Sequence, residues 1–198
     1  MKGNFVKKYG HISLFFVITL ALQGQNSTRE LLVAATNNDS KALNAALDAR
    51  PRPYINFKNA AQRYQTALMN ACEKCNPETV TILIKHNAKL NIQDEDKRTA
   101  LMYVALAPDH QKSAAVAKIL IDARAPLNTT DSEKKTALIH AFEQNNLPVA
   151  FELLQAGAST IKKDIFKKTA ADYFNKQQEE AQKLHPELYE QVKALLEK

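Results

Sequence analysis

Cys72-Glu73-Lys74-Cys75 is the stretch of this chain whose spacing could do redox chemistry. In a C-x-x-C oxidoreductase site the first Cys stands at a helix N-terminus, where backbone N–H groups favour its thiolate. The same pair suits a local disulfide in an oxidising compartment, or two unpaired structural thiols. A lone C-x-x-C lacks the second pair of ligands that a tetrahedral zinc site needs. The histidines do not supply them, because His11, His86, His110, His140 and His185 are scattered with no two at close ligand spacing. There is no Gly-rich phosphate loop and no G-x-S-x-G. The carboxylates fall mostly in expected turns and on outer helix faces, so acid, base and nucleophile do not converge. The pattern speaks against an enzyme and assigns no catalytic residue, cofactor or metal site.

The elements that position these residues are helical. Ala, Leu, Lys, Glu and Gln dominate, Trp is absent, and Gly occurs four times in 198 residues, which favours helix and leaves few tight glycine turns. Hydrophobic content of 45% and charged content of 24% are ordinary for a folded soluble protein. The first 24 residues differ from the rest. Lys2, Lys7 and Lys8 precede an apolar run from Ile12 to Leu22, small residues follow at Ala21 and Gly24, and no Asp or Glu is present. This is the pattern of a secretory signal peptide cleaved after Ala21 or Gly24. An apolar run of 11 residues is too short to cross ~30 Å of hydrocarbon as a helix. Without the three leader lysines the formal charge falls from +6 to +3, with 24 basic against 21 acidic residues. So mild a balance is no nucleic-acid signal.

From Gln25 onward the chain repeats itself. Thr-Ala-Leu stands at Thr66, Thr99 and Thr136, and a worn copy at Thr169, at intervals of 33, 37 and 33 residues. Five residues before the last three stand Asp94, Asp131 and Asp164; two before them stand Lys97, Lys134 and Lys167. Each Thr is a helix N-cap, and each Asp can close a turn on its own backbone. In the following stretch Val80, Leu83 and Ile84 make an apolar stripe at helical spacing, as do Val116, Ile119 and Leu120. A period near 33 with two helices per period marks a stacked array. Each pair is too small to hide its apolar face alone.

The stretches "DEDKRTALMYVA", "DSEKKTALIHAF" and "FELLQAGAS", with the endings "LIKHNAKLN" and "LIDARAPLN", resemble ankyrin repeats over about residues 28 to 197. The resemblance implies an all-α solenoid of about five helix pairs with β-turn fingers. The units expected are 25–55 (N-terminal cap, a shortened helix pair), 56–91, 92–128, 129–160 and 161–198 (C-terminal cap). The insertion Ala107–Ala114 should lengthen an inter-helix loop. The last unit's first helix should run on to about Leu184, and Pro186 should start a final helix. Lys97, Lys134, Lys167 and Arg124 replace the family's glycines, so left-handed conformations there cost roughly 1 kcal/mol each. The alignment also puts Cys72 near the end of a helix and Cys75 in a turn, which disfavours redox catalysis and leaves the disulfide and the free thiols open.

In the family, finger tips and first helices line a concave surface that binds other proteins. By position the tips here are Gln93, Glu95, Asp96 and Arg98, then Ser132, Glu133 and Lys135, then Ile165, Phe166 and Lys168. Four residues after each Thr come Asn70, Tyr103, His140 and Tyr173, as side chains for the concave side, with His140 read as a surface histidine. Tyr is enriched at binding hot spots; packing against neighbouring units is the other reading of the two tyrosines. Ile165 and Phe166 are either exposed anchors or cover for the cap. With the leader, the resemblance implies an exported, monomeric protein-binding module without a cofactor, which neither binds nucleic acid nor inserts in a membrane once the leader is gone. Its most concrete form is a periplasmic immunity or inhibitor protein masking a toxin. The alternatives are a helper in oxidative-stress defence beside a catalase, and a secreted effector that engages host proteins.

Overall fold

The computed structural model describes residues 14–50 and 52–197. The expected leader's first thirteen residues lie outside that range. Eleven α-helices and no strand occur among the described residues. They are α1 (Leu14–Thr36), α2 (Ser40–Asp48), α3 (Ala67–Glu73), α4 (Pro77–Lys85), α5 (Ala100–Leu106), α6 (His110–Asp122), α7 (Ala137–Glu143), α8 (Leu147–Gln155), α9 (Ala170–Lys176), α10 (Gln178–Leu184) and α11 (Pro186–Leu196).

The repeated Thr starts each short helix. The Thr66 and Thr136 hydroxyls accept from the N–H groups of Met69 and Ile139, both at 3.3 Å. At Thr169 the cap is reciprocal: Asp172 accepts from the Thr169 N–H at 2.7 Å. The second helix of each pair opens on Asn76, Asp109 or Asn146, whose side chain accepts from N–H groups of the first turn. Pro77 and Pro148 sit in that first turn, where a missing N–H costs nothing. Left-handed residues end the second helices: Asn87, Arg124 and Gly157, at φ 65°, 64° and 83°.

α3, α5, α7 and α9 are seven residues long, far below the length at which a helix is stable alone in water. They persist because they stack. One row runs α1–α3–α5–α7–α9, and a second runs α2–α4–α6–α8–α11. Leu68, Leu101 and Leu138 from the first row, and Val80, Leu83, Val116, Leu120, Val149 and Leu153 from the second, are all at most 1% exposed. Each such side chain contributes about 1.5–3 kcal/mol by leaving water. At the C-terminal end Phe142, Phe174 and Tyr189 follow one another with ring centroids 5.3 and 5.0 Å apart, tying α7, α9 and α11 together.

Three expectations are corrected. The first helix is not shortened: α1 has 23 residues and passes without a break through Ala21–Gly24. The insertion at 107–114 is mostly helix, because Asp109 caps α6 by accepting from the Lys112 N–H at 3.0 Å and gives it 13 residues against nine in α4 and α8. The last unit's first helix stops at Lys176, where the Gln177 side chain donates to the Glu143 carbonyl at 2.7 Å and α10 then starts anew. Among the described residues no helix is long and apolar enough to cross a membrane.

Lys97, Lys134 and Lys167 occupy the left-handed region, at φ 63°, 60° and 62°. The exposed Lys134 side chain gives that strain little return. Lys134→Gly is expected to raise the unfolding free energy by about 0.5–1 kcal/mol, read as a higher urea midpoint at unchanged m-value.

Candidate functional site

Each finger closes on one buried carboxylate. Asp94, Asp131 and Asp164 are 5%, 5% and 3% exposed. In each, one oxygen accepts N–H groups of its own turn: Arg98 at 2.7 Å on Asp94, Glu133 and Lys135 at 2.9 and 2.8 Å on Asp131, Phe166 and Lys168 at 2.8 and 2.9 Å on Asp164. The second oxygen meets the side chain four residues past the helix cap. Tyr103 and Tyr173 donate their hydroxyls to Asp94 and Asp164 at 2.6 Å, and His140 Nε2 lies 2.8 Å from Asp131. Burial alone raises a carboxyl pKa. At Asp131 the bonds from His140 and the Lys135 N–H outweigh it, and at Asp164 those from Tyr173 and Lys168 do, so both stay below the usual range. The tyrosines move the other way: burial and then the neighbouring carboxylate push Tyr103 and Tyr173 up to about 12.

The fingers are also fastened to one another through backbone bonds. Glu95 N–H donates to the Arg63 carbonyl at 3.0 Å, Ser132 N–H to Asp96 at 2.8 Å, and Ile165 N–H to Glu133 at 3.0 Å. Gln93 bridges two fingers by donating to the carbonyls of Lys97 and Thr130. The tips thus form one registered row along the finger face.

The expected partner residues divide. Glu95, Ser132, Glu133, Ile165, Phe166 and Lys168 are exposed; Gln93, Asp96 and Arg98 are half-buried. Asp96 pairs with Arg63 and Arg98. Asn70, Tyr103, His140, Tyr173 and Lys135 are buried, at 3–9% exposure, and this corrects their reading as open contacts. The tyrosines and His140 turn inward onto the finger carboxylates, so His140 is no surface histidine. Asn70 donates to Thr36 Oγ1 at 2.9 Å. The Lys135 ammonium lies 2.8 Å from Glu143 and 3.0 Å from Glu133; burial works against its charge, but those carboxylates outweigh it and raise its pKa.

Other exposed groups sit at the array's N-terminal end. Tyr54, Phe57 and Tyr64, in the stretch between α2 and α3 that forms the first finger, are 67%, 46% and 45% exposed. Tyr54 N–H donates to Thr28 Oγ1 at 3.0 Å, which pins the finger beside α1. Tyr54 and Phe57 border a cleft of ≈ 710 Å³ floored by Leu32. A signal was present in sequence: three aromatics in a stretch that begins with two prolines and shows no helical spacing.

Cys72 and Cys75 are unbridged and buried, so of the two readings left open the structure has the free thiols. Cys72 lies inside α3, and Cys75 occupies the left-handed turn at φ 50° with its thiol 3.4 Å from the Cys72 carbonyl. Burial pushes the Cys72 thiol well up and Cys75 to about 11, the opposite of a reactive thiolate. Among the described residues no group of three His, Cys, Asp or Glu is placed to hold a metal ion.

Compared with known proteins, residues 31–131 match a family model described as ankyrin repeats in three copies. A search of curated proteins found no match.

Tyr103→Phe and Tyr173→Phe each leave a buried carboxylate oxygen without its donor and should lower stability by about 1–3 kcal/mol in urea unfolding. The phenols' folded pKa of about 12 lies above the unfolded value of about 10. Their contribution is therefore complete below pH ~10 and lost as pH rises toward ~12, with the unfolding midpoint falling as phenolate absorbance appears. In the native protein both thiols are expected to resist iodoacetamide at neutral pH and to react at once in denaturant.

Proposed function

This chain belongs to the ankyrin-repeat family, whose arrays are generally protein-binding scaffolds rather than enzymes, and from that premise we propose that it is an exported immunity or inhibitor protein that holds a toxin on its finger face. The row of tips carries this reading. Interior polar groups are consumed in keeping the fingers in register, and what is left for a partner is a line of exposed tip side chains at fixed spacing. Glu95, Ser132 and Glu133, interleaved with the exposed Lys97 and Lys134, give its middle a polar character of mixed charge, and the aromatics of the first finger give one end apolar anchors. Such a surface suits a partner that presents polar side chains of both charges opposite Glu95, Lys97, Glu133 and Lys134 and an apolar group near Phe57. The basic, acid-free start of the chain supports export to the periplasm.

Tandem-affinity isolation from the envelope fraction of the producing cell tests the reading. One toxin should be captured at near-equal stoichiometry and lose its toxicity in the complex. Glu95→Lys with Ser132→Arg should abolish capture without changing the urea midpoint, because both side chains are exposed. Capture that survives those changes, or a partner with no toxic activity, overturns the proposal.

A further inference from the structure

The last finger differs from the two interior ones in three equivalent slots. Eight residues before the helix-capping Thr stand Asn91, Asn128 and then Ile161; four before it, Glu95, Ser132 and then Ile165; three before it, Asp96, Glu133 and then Phe166. Polar in both interior fingers, all three slots turn apolar in the last. The side chains are not hidden: Ile161, Ile165 and Phe166 are 80%, 49% and 65% exposed. In the interior the slots have neighbours to serve. Asn128 accepts from the Ser159 N–H of the next unit at 2.8 Å, and the Asp96 and Glu133 carbonyls accept from the fingers that follow them. The last finger takes its bond from Glu133, and among the described residues no further finger follows.

Charge surrounds these groups. Lys162, Lys163, Lys167 and Lys168 are all exposed, and the one acid within residues 159–168, Asp164, is buried with its oxygens satisfied inside the finger. Nearby carboxylates are engaged as well: Asp172 with the Thr169 N–H and hydroxyl, Glu133 with Lys135. Lys168 lies over the Tyr173 ring, 5.7 Å from its centroid, leaving Lys162, Lys163 and Lys167 as outward charges.

Lysine is depleted from protein–protein interfaces, and hot spots favour Trp, Tyr and Arg. Ile and Phe ringed by Lys, with no Tyr, Trp or Arg, match a different surface. An anionic bilayer attracts lysines to its phosphates, lets their stems lie along apolar matter, and takes aliphatic and Phe side chains at the headgroup–acyl boundary. We propose that the last finger is a peripheral adsorption site for anionic phospholipid. Ile161, Ile165 and Phe166 enter the boundary, and Lys162, Lys163 and Lys167 lie against the phosphates. The array would then stand on the membrane by its C-terminal end with the interior tips free. This assignment is independent of the toxin reading, since it uses different residues.

The chain contains no Trp, so Phe166→Trp introduces one indole at the site. The full chain is mixed with vesicles of brominated phosphatidylcholine, alone or doped with phosphatidylglycerol. The expected result is a blue-shifted, bromine-quenched emission with phosphatidylglycerol vesicles only, reversed by added salt. Lys162→Gln with Lys163→Gln should lower the partition coefficient roughly thirtyfold, at about one surface lysine's worth per change. Lys85→Gln with Lys118→Gln, exposed on other helices, should leave it unmoved. An unshifted indole while the chain sediments with the vesicles overturns the proposal, because another segment then makes the contact. So does an equal shift on phosphatidylcholine alone, or a shift produced by polyglutamate but not by phosphatidylglycerol vesicles.

Discussion

A seven-residue helix has one full set of intrahelical bonds to set against the entropy of ordering its whole length, and in water it loses. Four of the five helices in the row α1–α3–α5–α7–α9 are of this length, so neighbours must cover each one and its ends must be capped. The repeated Thr, the inward Leu and the finger carboxylate all answer that requirement. Asp94, Asp131 and Asp164 are the strictest part of it. A carboxylate buried to a few per cent exposure is tolerable only with every oxygen bonded, and here the donors come both from the turn and from the adjacent short helix. The bond that keeps the charge satisfied also fixes the finger's angle to its helix. Finger position and helix position are one variable.

Much of this was legible in the chain, for a physical reason. Helix caps, left-handed turns and apolar stripes are local, and a period of 33 shows each of them several times. Even the nine-residue separation of Asp94 and Tyr103, shared by Asp131 with His140 and Asp164 with Tyr173, is visible on the page. What spacing does not show is which way the second member turns. Tyr103 and His140 look like open contacts until the finger folds back and places a carboxylate within 3 Å; burial there is a product of tertiary closure. The break at Gln177 has the same origin, since its cause is a carbonyl of Glu143 34 residues away. The extension of α6 was nearer to hand. Asp109 followed three residues later by the N–H it caps is a local signal, obscured by reading the insertion as a loop.

The exposed residues follow from the same constraint. Because interior polar groups hold register, variation without loss of fold is confined to slots that point away from the next unit. Those slots run from aromatic at Tyr54 and Phe57, through polar at Glu95, Ser132 and Glu133, to apolar at Ile165 and Phe166, while Lys97, Lys134 and Lys167 keep one basic slot throughout. One rigid row thus carries three chemistries at fixed intervals, an arrangement that a single globular core of 198 residues would not offer as a line.

The middle unit shows how far substitution can go inside the clamp. His140 replaces the tyrosine of its neighbours and still reaches Asp131. Lys135 stands beside it, in the slot that Arg98 and Lys168 hold in the neighbouring units. It is 7% exposed, bonded to Glu133 and Glu143, and its ammonium lies 5.8 Å from the Tyr173 ring of the following unit. A buried ammonium needs both carboxylates to be tolerable, and the ring of the next clamp adds a cation–π contact. The Lys135 ammonium thus links its own finger to the clamp of the next.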